Sequence, residues 1–258
     1  RARAGTRGGA PMTRVRPPDA RRPVVLLGAG ADAHQIAADL RRAEQAGAPL
    51  RVIGFLDDDP DASGLAADDL AALRLPGPAI GVLGPIADSA RFADASFVLA
   101  VASHRNMRHR ARIVDALGVP AERYQRFVHP DATVPGLARV GHGVVVLARA
   151  FVGLRADLGD HVMIGWGAHV GHDSAVGACS EVAPGAIVCG RVRIGASSYV
   201  GAGARIAPDR RVGRGALVAI GAVVVDDVAD RGRVRGDPAR PFRTGAGART
   251  GRIAPDAG

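Results

Sequence analysis

An aliphatic residue returns at every sixth position from Val128 to Val224, seventeen times in succession without a break. Glycine is the commonest residue directly after it, and mostly Ala, Ser or Val stands four places later. No helix has this period, and a half-buried strand would alternate every second residue. A hexad repeat of this kind predicts a parallel β-helix, in which each hexad gives one short strand with an inward aliphatic and then a tight corner of small residues. Three hexads close one triangular coil, so residues 18 apart are expected to stack, and the stacked aliphatics form a continuous core.

Residues 23–127 follow a different pattern. "PVVLLGAGADAHQIAADLRRAEQAG" reads as a strand, a glycine turn and a helix from about Ala33 to Ala46. "RVIGFLDDDP" is a second strand ending in the carboxylates Asp57 to Asp59, and "SFVLAVAS" is a later strand followed by a helix that stops at Gly118. Alternation of strand and helix predicts a small Rossmann-like α/β unit whose ligand contacts lie at the strand C-termini. The best candidates there are Gly28, Gly30, Asp57 and Asp58. A dinucleotide fingerprint would need glycine at position 33, where the chain has Ala33, so a nucleotide-sugar suits the turn better than NAD.

The expected organisation is an N-terminal extension at 1–22, the α/β domain at 23–127, the β-helix at 128–242 and a tail at 243–258. Charge sharpens these boundaries. Of the formal charge of +9, residues 1–22 carry seven arginines and one aspartate, +6, and residues 243–258 carry three arginines and one aspartate, +2. That leaves 9 − 6 − 2 = +1 for the body of the chain. A nucleic-acid footprint would sit on the folded face; here the excess lies in Gly- and Pro-rich ends that read as disordered. The longest apolar runs are too short to span a bilayer and the start lacks an apolar signal region. Cys179 and Cys189 form no CxxC pair and read as small fillers in a reduced compartment, which predicts a cytoplasmic protein.

The repeat resembles that of the hexapeptide acyltransferase superfamily, and "GDPAR" at 236–240 resembles the element that follows the helix in those enzymes. The resemblance implies a left-handed β-helix, acetyl-CoA as co-substrate and a homotrimer. The α/β unit in front narrows it to the sialic acid O-acetyltransferases and the bacillosamine-pathway acetyltransferases of UDP-linked amino sugars. "GAGADAH", "FLDDD" and "AVASHRN" stand where that family has its first turn, second strand end and third strand end. The last of these adds Ala102 and Ser103 to the substrate-binding candidates, with Ala102 replacing a family glycine. At the first turn, Asp32 or His34 stands where the family has Gly-His.

"GHDSAVG" at 171–177 is similar to the motif that holds the family's proposed general base, which places His172 and Asp173 on it. An imidazole titrating near neutrality suits proton removal from an amine or hydroxyl attacking a thioester, and an adjacent carboxylate orients it. The expected 18-residue stack sets Gly190 one coil above His172, where its N–H can meet a developing oxyanion. The family's oxyanion glycine aligns there too. Ala202 and Ile220 align with positions lining the coenzyme A arm. Two residues depart from the family: Glu181 replaces a histidine nine places after the base, and Gly165 an asparagine seven places before it. Glu181 is still a candidate to bind a coenzyme amide. His142, His161 and His169 are expected on faces or corners without a role, and His129 at the opening of the first coil. Some β-helices of this kind are zinc carbonic anhydrases, but the repeat contains no H-x4-H pair, so no metal is expected.

These readings predict an acetyl-CoA-dependent acetyltransferase acting on an amine or hydroxyl of a nucleotide-linked sugar; the alternatives are an acetyltransferase for another small acceptor such as serine, or a non-catalytic trimeric scaffold or sugar sensor in which Gly165 and Glu181 mark a decayed site.

Overall fold

The computed structural model describes residues 21–75, 77–101 and 107–242. The expected extension and tail, apart from Arg21 and Arg22, lie outside the described residues. Three parallel strands, β1 (Arg22–Leu27), β2 (Leu50–Leu56) and β3 (Ser96–Leu99), form a sheet in the order β2-β1-β3. Val24 to Leu27 are fully buried, as a continuous apolar run in a parallel sheet should be. Helix α1 (Ala31–Gln45) begins two residues earlier than the apolar pattern predicts. Gly30 is its extended N-cap, and Asp32 in the first turn meets the positive end of the helix dipole. A short helix α2 (Ala67–Ala72) follows β2, and α3 (Met107–Leu117) follows β3. As predicted, α3 ends at Gly118, whose φ of +56° is the left-handed conformation that closes a helix.

Among the described residues, short strands from β4 (Phe127–Val128) to β20 (Arg233–Arg235) wind into a parallel β-helix, and a last strand, β21 (Arg240–Pro241), folds back antiparallel on β20. The register is the one the hexads predict: His169 lies opposite Phe151 on one side and Ile187 on the other, 18 residues each way. The inward aliphatics from Val146 to Val224 are at most 4% exposed and form one continuous core. The lowest coil departs from this. Val128 is 40% exposed, and Val134 and Val140 are only partly buried, because among the described residues no coil stacks beneath this end of the solenoid to complete their packing.

The three outer faces differ. The first, carrying Phe127, Val145 and Met163, is covered by the α/β domain, and these residues join Val24, Leu26, Ile36 and Phe55 in one buried cluster. The second carries exposed Phe151 and Ile187, with the His169 ring stacked on Phe151 at 4.6 Å. The third is polar, with Arg139, Asp157, Arg193 and Arg211.

His161, expected on a solvated corner, is 5% exposed. The reason is α3, which brings the buried Arg110 across the junction to donate to the carbonyls of His161, at 2.7 Å, and of Val101. Tyr124 packs edge-on against the His161 ring at 4.3 Å. Burial, and then the Arg110 charge, push the His161 imidazole down to about 4. Among the described residues no helix is long and apolar enough to cross a membrane.

Candidate active site

His172 occupies the corner between the second and third faces, two residues after the strand His169–Val170. Its Nδ1 lies 2.7 Å from Asp173 Oδ2. Asp173 is gripped from the coil below by Arg155, whose Nε and Nη2 donate to its two oxygens at 2.6 and 2.9 Å. The Arg155 hydrogen bonds, and then that to His172, hold the Asp173 carboxyl well below the usual carboxylate range. An ionised carboxylate only accepts hydrogen bonds, so Nδ1 carries the ring proton and Nε2 the free lone pair. That is the tautomer a general base needs.

Gly190 stands one coil above, as the stacking rule places it. A Cβ on Gly190 would lie 2.5 Å from His172 Nε2, so the imidazole rests against this glycine and a side chain there would displace it. The Arg191 N–H donates to the His172 carbonyl at 2.8 Å, which ties the two corners together. The Gly190 N–H has no acceptor among the described residues and lies on the corner that carries Nε2. The imidazole is about half exposed. One corner thus brings together the imidazole, a backbone N–H that donates to no described residue and access from solvent.

The other expected coenzyme contacts fall elsewhere on the solenoid. Ala202 and Ile220 stack on each other, the Gly221 N–H donating to the Ala202 carbonyl at 2.9 Å. They lie at the corner between the first and second faces, across the open apolar face from His172, and Ile220 is 78% exposed. Glu181 is apart from both. It is buried on the first face, between Met163 and Tyr199, and its charge acts on Arg110 and Tyr199.

In the α/β domain, a cleft of about 510 Å³ opens at the C-terminal ends of the strands and gathers Gly28, Gly30, Asp57 and Asp58, the four residues the strand pattern singles out. Ala102 and Ser103 lie outside the described residues. Gly28 has φ +105°, and a Cβ there would press to 2.9 Å from the Val101 side chain, so the turn passes the third strand end only as glycine. The two carboxylates are engaged by backbone: Asp57 accepts from Ala29 N–H at 2.6 Å and Asp59 N–H at 2.9 Å, and Asp58 from Ile86 N–H at 2.9 Å. They set the shape of the cleft as well as its charge. His34 points elsewhere, its Nε2 2.8 Å from the Ser63 carbonyl, and Asp32 lines the cleft instead. His109 of α3 also lines it, a residue the sequence pattern does not single out. A second cleft, of about 890 Å³, shares Asp32 with the first and runs between α1 and the β-helix to Arg149 and Trp166. Trp166 stands on the same corner column as Ala202 and Ile220.

No family model and no curated protein matches the chain. Solved structures do. The acetyltransferase domain of PglB from Neisseria gonorrhoeae FA1090 is 31% identical over 86% of this chain and 100% of that chain, with a TM-score of 0.70. The same domain has been solved in complex with acetyl coenzyme A, at 32% identity and the same coverage and TM-score. A variant of perosamine N-acetyltransferase from Caulobacter crescentus, in complex with CoA and GDP-perosamine, is 26% identical over 86% of this chain and 97% of that chain, with a TM-score of 0.69.

Proposed function

The chain belongs to the hexapeptide-repeat acetyltransferases of the left-handed β-helix class, and from that premise we propose that it moves the acetyl group of acetyl-CoA onto the amine of a nucleotide-linked sugar. The observation that carries this reading is the corner where Asp173 holds the His172 ring and Gly190 stands one coil above against Nε2. The amine nitrogen attacks the thioester carbonyl carbon and the new N–C bond forms as His172 Nε2 takes the amine proton. The Gly190 N–H stabilises the oxyanion of the tetrahedral intermediate. The C–S bond then breaks, and the His172 imidazolium returns the proton to the thiolate, releasing coenzyme A. An amine rather than a hydroxyl is favoured by the similarity to perosamine N-acetyltransferase.

The α/β cleft suits the nucleotide: the Gly28–Gly30 turn and the α1 N-terminus suit its phosphates, while Asp57 and Asp58 hold the walls in place. The second cleft leads from there toward Trp166, so a sugar extending from the phosphates would follow it. A homotrimer accounts for the split between the two corners. His172 with Gly190, and Ala202 with Ile220, border opposite edges of the second face, whose exposed Phe151 and Ile187 are suited to burial. Threefold packing on that face would bring one chain's His172 corner to a neighbour's Ile220 corner, with coenzyme A in the groove between.

The test is thiol release from acetyl-CoA against UDP-, GDP- and dTDP-linked amino sugars, serine and free sialic acid, with His172→Ala alongside. Turnover on an amino sugar, reduced by about 10²- to 10⁴-fold in the variant, is expected. Turnover on serine alone would move the acceptor assignment. No turnover on any acceptor, with no coenzyme A binding, would leave a non-catalytic trimeric scaffold.

A further inference from the structure

Most corners of the β-helix turn through a residue with left-handed φ, a conformation in which glycine is at ease and other residues are uncommon. Between the first and second faces that residue is Arg149, then Gly167, Gly185, Gly203 and Gly221. Between the third and first faces the column mixes glycine with other residues: Gly143, His161, Cys179, Ser197, Gly215 and Arg231. The corner bearing His172 uses no glycine at all: Arg155, Asp173, Arg191 and Asp209 stack at φ 56°, 58°, 59° and 64°. Four side chains thus hold a disfavoured conformation, and their charges alternate. They pair two by two, Arg191 repeating on Asp209, at 2.6 and 2.9 Å, the bidentate grip of Arg155 on Asp173.

The backbone of this column reaches the reacting groups. Asp173 N–H donates to the Leu154 carbonyl, Arg191 N–H to that of His172 and Asp209 N–H to that of Gly190. Strain kept at a site, with compensating contacts, points to function when it is observed and not assumed.

We propose that Arg155 is a positioning residue for acetyl transfer: through its two-pronged bond to Asp173 it fixes the carboxylate that orients His172, and with the Arg191–Asp209 pair it forms a charged strut behind the base and the oxyanion donor. The inference rests on the assignment of His172 as general base. The planar guanidinium matters because two parallel bonds fix the carboxylate plane, whereas a lysine supplies charge without that constraint. The charged groups around His172 are Asp173 beside it, Arg155 one coil below, Arg191 one coil above and Asp209 beyond it. Removing Arg155 takes away a cation and leaves Asp173 to the imidazole alone. Both changes favour the imidazolium, so the acid limb of the rate profile must move to higher pH.

Steady-state kinetics and pH profiles of the intact protein test this, with thiol release as readout and the acceptor found above. In Arg155→Ala, kcat is expected to fall about 10-fold or more with KM for acetyl-CoA within about 2-fold, and the acid limb to move to higher pH. Arg155→Lys keeps the charge, so it should leave the acid limb in place while recovering only part of kcat. A purely structural arginine would lower the folded fraction and leave the pH profile of the remaining activity unmoved. If Arg155→Ala does not fold, Arg155→Lys decides: wild-type kcat in it overturns the strut. Loss of turnover in His172→Ala with wild-type kcat and acid limb in Arg155→Ala defeats this inference alone, whereas full turnover in His172→Ala defeats the general-base assignment beneath it.

Discussion

The β-helix and the α/β domain carry their chemistry in different ways. In the β-helix, position follows from counting: 18 residues move a side chain one coil along the same column, so the meeting of His172 with Gly190 is set by local repeat and backbone pairing. In the α/β domain, the cleft is assembled from three strand ends distant in sequence, and its carboxylates are bound by backbone N–H groups 28 residues away. A quasi-one-dimensional scaffold fixes the His172 corner through neighbouring coils, whereas the cleft depends on long-range contacts. The difference predicts a division of labour, with the β-helix setting kcat and the α/β domain setting substrate affinity.

The strongest challenge to treating the two regions separately is their junction at His161. Burial keeps its imidazole neutral in the folded protein, down to about 4, against an ordinary 6.5 in the unfolded chain. Between those values the unfolded chain binds more protons, so stability rises with pH and is lost as pH falls from about 7 toward 4. For this one buried ring the loss is about 2 to 3 kcal/mol. Urea unfolding of wild type and His161→Phe at pH 7.5 and 4.5 measures it as a difference of differences, which cancels the titration of the shared carboxylates. A wild-type chain losing that much more than the variant would show the junction to be acid-labile. Equal losses would mean that the ring is protonated in place.

A smaller effect sharpens the division itself. In Asp57→Ala, the Ala29 and Asp59 N–H groups lose their acceptor and the glycine turn relaxes, at a cost of about 1 to 2 kcal/mol. KM for the nucleotide sugar should rise about 10-fold with kcat within about 2-fold, the reverse of the pattern expected for His172→Ala. A fall in kcat with unchanged KM would place Asp57 in the chemical step and erase the distinction.

Legibility in the sequence follows the same line. The hexads reveal the solenoid, its register and its core, because each inward aliphatic answers to a strand one coil away. They miss Val128, whose exposure depends on what does not lie beneath it. His172, Asp173 and Gly190 are legible through the motif and the stacking rule together. Arg155 was within reach of the same ruler, since it stands 18 residues before Asp173, but its partnership becomes visible only when the corner charges are read as a column. In the α/β domain, the glycine turn and strand-end carboxylates mark the cleft, yet nothing local shows that Asp57 and Asp58 would be tied to backbone or that Asp32, not His34, would line it. The burial of His161 was least legible, because it depends on Arg110, 51 residues earlier in the chain and on another domain.

The smallest predicted effect separates the charged pair proposed to position His172 from a similar pair with no such neighbour. Arg139 and Asp157 on the third face mimic the Arg155–Asp173 pair: also 18 residues apart, with an Nη2 to Oδ2 distance of 2.7 Å. Here one contact joins them and not two, the arginine is 82% exposed, and no reacting group leans on the carboxylate. Solvent screens such a pair, and ordering two long side chains offsets the attraction, so exposed pairs contribute about 0 to 1 kcal/mol. Arg139→Ala should therefore leave kcat, the acid limb and the urea midpoint close to wild type when measured beside Arg155→Ala. A kinetic loss in Arg139→Ala as large as that in Arg155→Ala would mean that any charge removed from this solenoid slows it, and that the column behind His172 has no special standing.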